Sequence, residues 1–371
     1  MNIQKNILLV ATLAAAFFFA SAAAAQAASL YFYPQNISLS PGEEALVDIR
    51  IDTGGEAINA VELEGGLAGV AVTLRAIENS GSHLSIFVEN PSVKGKADFR
   101  LVGGAPAGLT GEHLLARLAL RAELPGNATL SFASAKTRVL LADGTGNAAE
   151  LKFVSASIQV TAKSKDYLVV SSESHPDQNQ WYATTKANMR FNFDPKASYS
   201  YLVTRDPLAE PDNVADKPEG TALWQGETKL EKLPEGISYF VIKKIGTTSV
   251  SRYRLMNDIT APTWGEVNKN EGMSETEGRP FLTFLAQDAA SGVEYYEMRV
   301  DDAEPVTVAS PQPLPDLYTI LSLRAYDRAG NYIEEFIPGP KKDYSLWIWL
   351  AVLFVLLVWV SGIIDTDKRG K

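Results

Sequence analysis

Along much of its length the chain alternates apolar and polar side chains with a period of two. In LVDIRID, Val47, Ile49 and Ile51 fall on one side of an extended segment and Asp48 and Arg50 on the other. ARLALRAEL sets Leu118 and Leu120 against Arg117, Ala119 and Arg121. NATLSFASA repeats the pattern with Ala128, Leu130 and Phe132, and SASIQVTA with Ile158 and Val160. Such alternation is the mark of strands buried on one face. SPGEE, DTGGE, LPGNA and ADGTGN supply turns between them, so the segment reads as a β-sandwich. A second block, from about Tyr167, brings MRFNF, YSYLVTRDP and ISYFVIKKIG. A third, from Asp258, brings FLTFLAQDAASGVEYYEMRVDD and YTILSLRAYDRAGNYIEEF. The expected fold is all-β.

The two ends break the pattern. Residues 1–27 join a short basic region at Lys5 to an apolar run and the small-x-small sequence Ala25-Gln26-Ala27, which predicts a cleaved secretory signal peptide. Leu346–Ile364 is uncharged and flanked by Tyr344, Trp347 and Trp349. At about 1.5 Å per residue a helix of this length matches the hydrocarbon thickness of a bilayer. The expectation is a single-pass protein of the cell membrane, with extracellular N-terminal modules and a short cytoplasmic tail at 365–371.

Two family resemblances refine the middle. LYFYPQNISLSPGEEALVDIRIDTGGEAINAVELEGG and GLTGEHLLARLALRAELPGNATLSFASAKTRVLLADGTGN resemble the opening and the later strands of a cohesin domain. Where many cohesins carry Tyr-Asp-Pro, this chain reads LEGGLAGVAVTL. The resemblance implies a jelly-roll β-sandwich over 28–163, a superfold shared with certain carbohydrate-binding modules. The stretch SSESHPDQNQWY, with Ser172, His175, Pro176, Asp177, Trp181 and Tyr182, resembles the start of Ig-like or fibronectin-type modules of bacterial surface proteins. The third block, with SGV and AYDRAGN, resembles Ig-like repeats. These imply Ig-like modules at 164–257 and 258–340, followed by a juxtamembrane stalk at 341–345 and the helix at 346–364. The implied partner is a dockerin-like protein module or an extracellular glycan.

Charge and composition narrow the chemistry. The 371-residue chain has a formal net charge of −10, which repels phosphate backbones and sets nucleic acid aside. It has no cysteine, so its exported modules fold on their cores without disulfides. His175 is one of three histidines. Proline at 176 biases it toward an extended conformation, and no nucleophile-elbow pattern lies nearby, so the stretch reads as structural, with Trp181 in the module core. No catalytic residue, cofactor or metal is assigned. Asp288, Asp301, Asp302 and Asp327 are candidates for a calcium site, with solvated turn carboxylates as the alternative. Asp143–Asn147 reads either as a hairpin turn or as the start of a calcium loop, but Val154 stands where an EF-hand needs a closing acid.

The candidate partner-binding residues come from two strands of the first sandwich. Alternation in SHLSIFVEN, counted from Leu84, turns Leu84, Ile86 and Val88 inward and Ser85, Phe87 and Glu89 outward. In INAVELEG, Val61 and Leu63 inward leave Glu62 and Glu64 outward. An outward phenylalanine is a plausible anchor for a partner. The alternative is a Phe87 covered by a loop or by the next module. The expected function is presentation of the cohesin-like domain to a protein or polysaccharide. The other readings are a purely structural spacer and a polysaccharide-degrading enzyme.

Overall fold

The computed structural model describes residues 27–216, 226–270, 279–340 and 349–357. The chain divides into two compact units. The first takes in the chain up to Pro262 together with Gln287–Val293 and Asp327–Asn331; the second takes in Thr263–Ala286, Glu294–Tyr326 and the chain from Tyr332.

The first unit opens with a β-sandwich. Its strands are β1 (Ala28–Tyr33), β2 (Asn36–Leu39), β3 (Glu44–Asp52), β4 (Ile58–Ala68), β5 (Val72–Glu78), β6 (Ile86–Lys94), β7 (Asp98–Leu109), β8 (Glu112–Ala122), β9 (Gly126–Phe132), β10 (Arg138–Leu141), β11 (Leu151–Val154) and β12 (Ala156–Val160). One sheet has the order β11-β1-β3-β8-β5. The other runs β2-β12-β9-β4-β7-β6, with β10 paired to β4. The terminal strands switch sheets together: β1 pairs in parallel with β11, and β2 with β12. Between the sheets lies one apolar core that includes Leu30, Phe32, Ile49, Leu63, Leu101, Leu118, Leu130 and Ile158. Phe32 stacks on Phe132 at 4.3 Å and meets Phe99 edge-on at 6.2 Å. Gly65 makes this aromatic cluster possible. A Cβ there would stand 2.4 Å from Phe99 Cζ and 2.5 Å from the carbonyl oxygen of Ser131.

A second core follows in the same unit. Its strands β13 (Val170–Ser172), β14 (Ala187–Phe191), β15 (Tyr199–Thr204), β16 (Glu227–Leu230), β17 (Gly236–Lys244) and β18 (Val250–Asn257) form the sheets β13-β14-β16 and β15-β17-β18. Met189, Phe191, Tyr199, Phe240, Ile242 and Leu255 fill the space between them. Trp181 is buried as expected, though outside the apolar cluster of this core. Two tyrosines brace turns in the same way. Tyr182 Oη accepts from the amide of Asp177 (3.1 Å), and Tyr199 Oη from the amide of Asp194 (2.7 Å).

The second unit is built on β19 (Thr263–Asn270), β20 (Phe281–Gln287), β21 (Val293–Val300), β22 (Val306–Val308), β23 (Gln312–Pro313), β24 (Ile320–Asp327) and β25 (Tyr332–Pro338), in the sheets β19-β20-β23 and β22-β21-β24-β25. Leu282, Phe284, Met298, Leu321 and Leu323 form its core. Residues 349–357 are helical and exposed. Among the described residues no helix is long and apolar enough to cross a membrane. The rest of the expected 346–364 span lies outside the described residues, as does all but Ala27 of the expected signal peptide.

Candidate partner-binding face

Burial separates the two outer faces of the sandwich. In β9, Ala128, Leu130 and Phe132 are buried and Asn127, Thr129 and Ser131 exposed, the alternation of a sheet with one face in water. In β12, Ser157 and Gln159 are likewise exposed between buried neighbours. β3 and β8 behave differently. Leu46 and Val47 are both buried, and so are Leu118, Ala119 and Leu120 in a row. Around these two strands the outer face of that sheet is covered by the second core. Asn179 Nδ2 donates to Glu44 Oε2 at 2.6 Å, and Tyr167 Oη donates to Glu43 Oε1 at 2.9 Å. Arg254, fully buried, lies with Nη2 3.7 Å from Glu44 Oε2. Desolvation pushes the half-buried Glu43 carboxyl up from its usual range. Among the described residues of the unit, the β9-β4-β7-β6 face carries no such cover.

At the middle of that open face stands Arg100, on β7 between β4 and β6. The register puts it directly opposite Glu64 and two pairs along, on the same face, from Glu62. Its Nη1 is 2.5 Å from Glu64 Oε1, its Nη2 3.0 Å from Glu62 Oε1, and its Nε 2.9 Å from Glu89 Oε2. Arg138 Nη2 reaches Glu62 Oε2 at 2.7 Å and Lys136 Nζ reaches Glu64 Oε2 at 3.1 Å. Three carboxylates and three cations thus interlock across four strand segments. Hydrogen bonds from Arg138 and Arg100 hold Glu62 below the usual carboxylate range. Those from Lys136 and Arg100 do so for Glu64, and that from Arg100 for Glu89. All three are ionised at neutral pH.

Glu62, Glu64 and Glu89, singled out from alternation alone, therefore meet at one arginine. Ser85 is exposed. Phe87 is not: it is half-buried and packs against the sandwich core, whereas Ile86 and Val88 are exposed at 48 % and 76 %. The expected alternation fails because β6 begins only at Ile86 and its register shifts between Phe87 and Glu89 and again before Ser92. Phe87 lies opposite Gly103, an inward position with no side chain. Its Cδ1 comes within 3.3 Å of where a Cβ on Gly103 would be, so the ring fills the space the glycine leaves. Arg100 was legible too, since Phe99 and Leu101 inward turn it outward. Its two flanking strands were not.

The remaining candidates are structural. His175 is buried, with Nε2 2.7 Å from Asn257 Oδ1 and Nδ1 3.0 Å from Ser174 Oγ. Burial pushes it below the usual histidine range, so it is neutral at pH 7. Tyr253 Oη donates to its carbonyl at 2.6 Å. Asp143 Oδ1 accepts from Thr145 N and Oγ1, a closed turn. Asp301 Oδ1 accepts from the amides of Thr319 and Ile320. Asp288 and Asp327 lie instead with Asp258.

No protein-family model matches the chain, and no curated protein matches it. Over part of its length the chain is similar to solved cohesin structures. A non-cellulosomal cohesin from the hyperthermophilic archaeon Archaeoglobus fulgidus is 13% identical, with a TM-score of 0.31 over 37% of this chain and 92% of its own. The seventh ScaB type I cohesin of Pseudobacteroides cellulosolvens is 18% identical, with a TM-score of 0.31 over 37% and 94%. A type I cohesin of Clostridium thermocellum, solved in complex with a dockerin, is 11% identical, with a TM-score of 0.32 over 38% and 99%.

Proposed function

We propose that the chain is a non-enzymatic binding protein whose first sandwich offers the β9-β4-β7-β6 face to a dockerin-like protein module. One observation carries the reading. The sandwich has two outer faces, and the protein's own second core occupies one of them. The other holds an ordered array of charges at its centre, flanked by Asn127, Thr129 and Ser131 on β9 and by exposed Ile86 and Val88 on the edge strand. Fixed charges of both signs choose a partner by complementarity more than they add affinity, and exposed aliphatic side chains beside them supply area to bury. The Ig-like character of the later modules, their role as a stalk, secretion through 1–27 and anchoring through 346–364 complete the reading as an extracytoplasmic adhesion protein.

The test is calorimetric titration of the full chain with dockerin-like modules from the producing cell's secreted proteins. Arg100→Glu and Val88→Asp are each expected to weaken binding by about tenfold or more, the scale of an interface hot spot. Unchanged affinity in both would move the binding surface elsewhere. Binding of wall glycan in place of any protein would replace the partner class. Protease added to intact cells is expected to strip the β-modules; their protection would refute the orientation.

A further inference from the structure

Three aspartates from separate stretches of the first unit converge. Asp258 follows β18, Asp288 lies in the 287–293 loop, and Asp327 opens the 327–331 loop. One carboxylate oxygen of each lies within 4.8 Å of the others. Asp258 and Asp327 are fully buried and Asp288 half-buried. Among the described residues none of the three has an ion-pair partner. Backbone amides aim them inward. Thr260 N and Ser291 N each donate to Asp258, both at 3.0 Å. Ala290 N and Gly292 N donate to Asp288 Oδ1 at 3.1 and 2.7 Å. Ala329 N and Asn331 N donate to Asp327 Oδ1 at 2.8 and 2.9 Å, and Asn331 Nδ2 to Oδ2 at 2.8 Å. Among the described residues Asp288 Oδ2 has no hydrogen bond. Amide donors favour the ionised carboxylate, while burial, first of all, and the mutual repulsion of the acids push Asp288 and Asp327 upward. Such a trio needs a cation or a shared proton.

A second observation separates those two. Ser291 is fully buried and its hydroxyl has no hydrogen-bond partner. Its own amide is bonded to Asp258 and the amides on either side of it to Asp288, so the residue rides on both carboxylates. A buried hydroxyl is costly to leave unbonded, and a cation held by the carboxylates it adjoins would give its oxygen a partner.

We propose that Asp258, Asp288, Asp327 and the Ser291 hydroxyl bind a calcium ion. The donors are all oxygen, which suits a hard cation and not a soft one. Each carboxylate oxygen that accepts one amide proton keeps a second lone pair for the ion. Calcium–oxygen distances of about 2.3–2.6 Å place ligands on opposite sides of the ion about 5 Å apart, so oxygens that all lie within 4.8 Å of one another can share it. Magnesium demands a near-ideal octahedron at about 2.0–2.1 Å, which carboxylates fixed by their own loop amides suit less well than calcium's flexible shell. The ion would tie the 287–293 and 327–331 loops to the end of β18.

The experiment is calcium titration of the purified full chain by calorimetry, with the thermal midpoint read in calcium, magnesium and a chelator. One saturable calcium site is expected, with the midpoint raised by calcium, lowered by the chelator and little moved by magnesium. Asp288→Asn keeps the oxygen that accepts the loop amides and removes the charge, and it is expected to weaken calcium about tenfold or more. Ser291→Ala breaks no existing bond and is expected to weaken it severalfold, so the proposal stays testable if the first variant misfolds. No saturable binding by the folded wild type, or affinity untouched by both substitutions, would overturn the site.

Discussion

Arg254 is fully buried, and its guanidinium Nη2 lies 3.7 Å from Glu44 Oε2 on the first sandwich. Its Nε donates to the carbonyl of Gln178 at 2.6 Å and its Nη2 to Asn179 Oδ1 at 2.5 Å. This arginine joins the second core to the covered sheet, adding polar bonds to the buried Leu46 and Ala119 of that face. Truncating one partner of a buried charge pair typically costs about 3–5 kcal/mol, because the other is left unpaired. Arg254→Ala is expected to lower the chemical-denaturation midpoint by that scale, and Glu44→Gln by less. An unchanged midpoint for Arg254→Ala would mean that the covered face is open in solution.

Phe87→Ala is expected to destabilise the first sandwich, since its ring fills the space over Gly103. Loss of a half-buried aromatic should cost about 1–3 kcal/mol, below the full-burial range of a phenylalanine. Val88→Asp, one residue on and exposed, should leave the midpoint nearly unmoved. Equal thermal midpoints for Phe87→Ala and wild type would put the ring back in solvent.

Arg100→Ala should change stability little despite breaking three ion pairs, since solvent screens exposed pairs and leaves them worth little. Its effect belongs in binding. The depressed Glu62, Glu64 and Glu89 stay charged well into mild acid. Their contribution is fully present above the ordinary carboxylate value of about 4.3 and is lost as pH falls through their lower folded values. Partner affinity measured from pH 7 down to 5 is expected to hold. A steep loss near pH 6 would point to histidine.

His175 supplies the opposite test. Its folded pKa lies below the unfolded value of about 6.5, so the unfolded chain binds the extra proton first. Stability is complete above pH 6.5 and falls as pH drops toward the folded value. His175→Gln should flatten that slope below pH 6.5. Trp181→Ala, removing a buried indole, is expected to cost about 3–5 kcal/mol at any pH. A mutant slope identical to wild type would mean that the imidazole titrates in solvent.

Period-two alternation was enough to determine that this protein is built of strands, and which side of most strands is dry. Val47, Ile49, Leu118, Leu130 and Ile158 all lie where their spacing puts them, as do Trp181 and the outward Glu62 and Glu64. Alternation is local, because each side chain's direction follows from the pleat of its own strand. It does not say which strand lies alongside. Tertiary structure decided that β7 runs between β4 and β6, so that Arg100 gathers three carboxylates from two neighbours. It decided that Gly103 lies opposite Phe87, which turned the ring inward against the count from Leu84. It brought Asp258 to Asp288 and Asp327 in place of Asp301 and Asp302. It also covered one face of the first sandwich and left the other open, because burial of a whole sheet face depends on another core packing against it, and no strand carries that information in its own sequence.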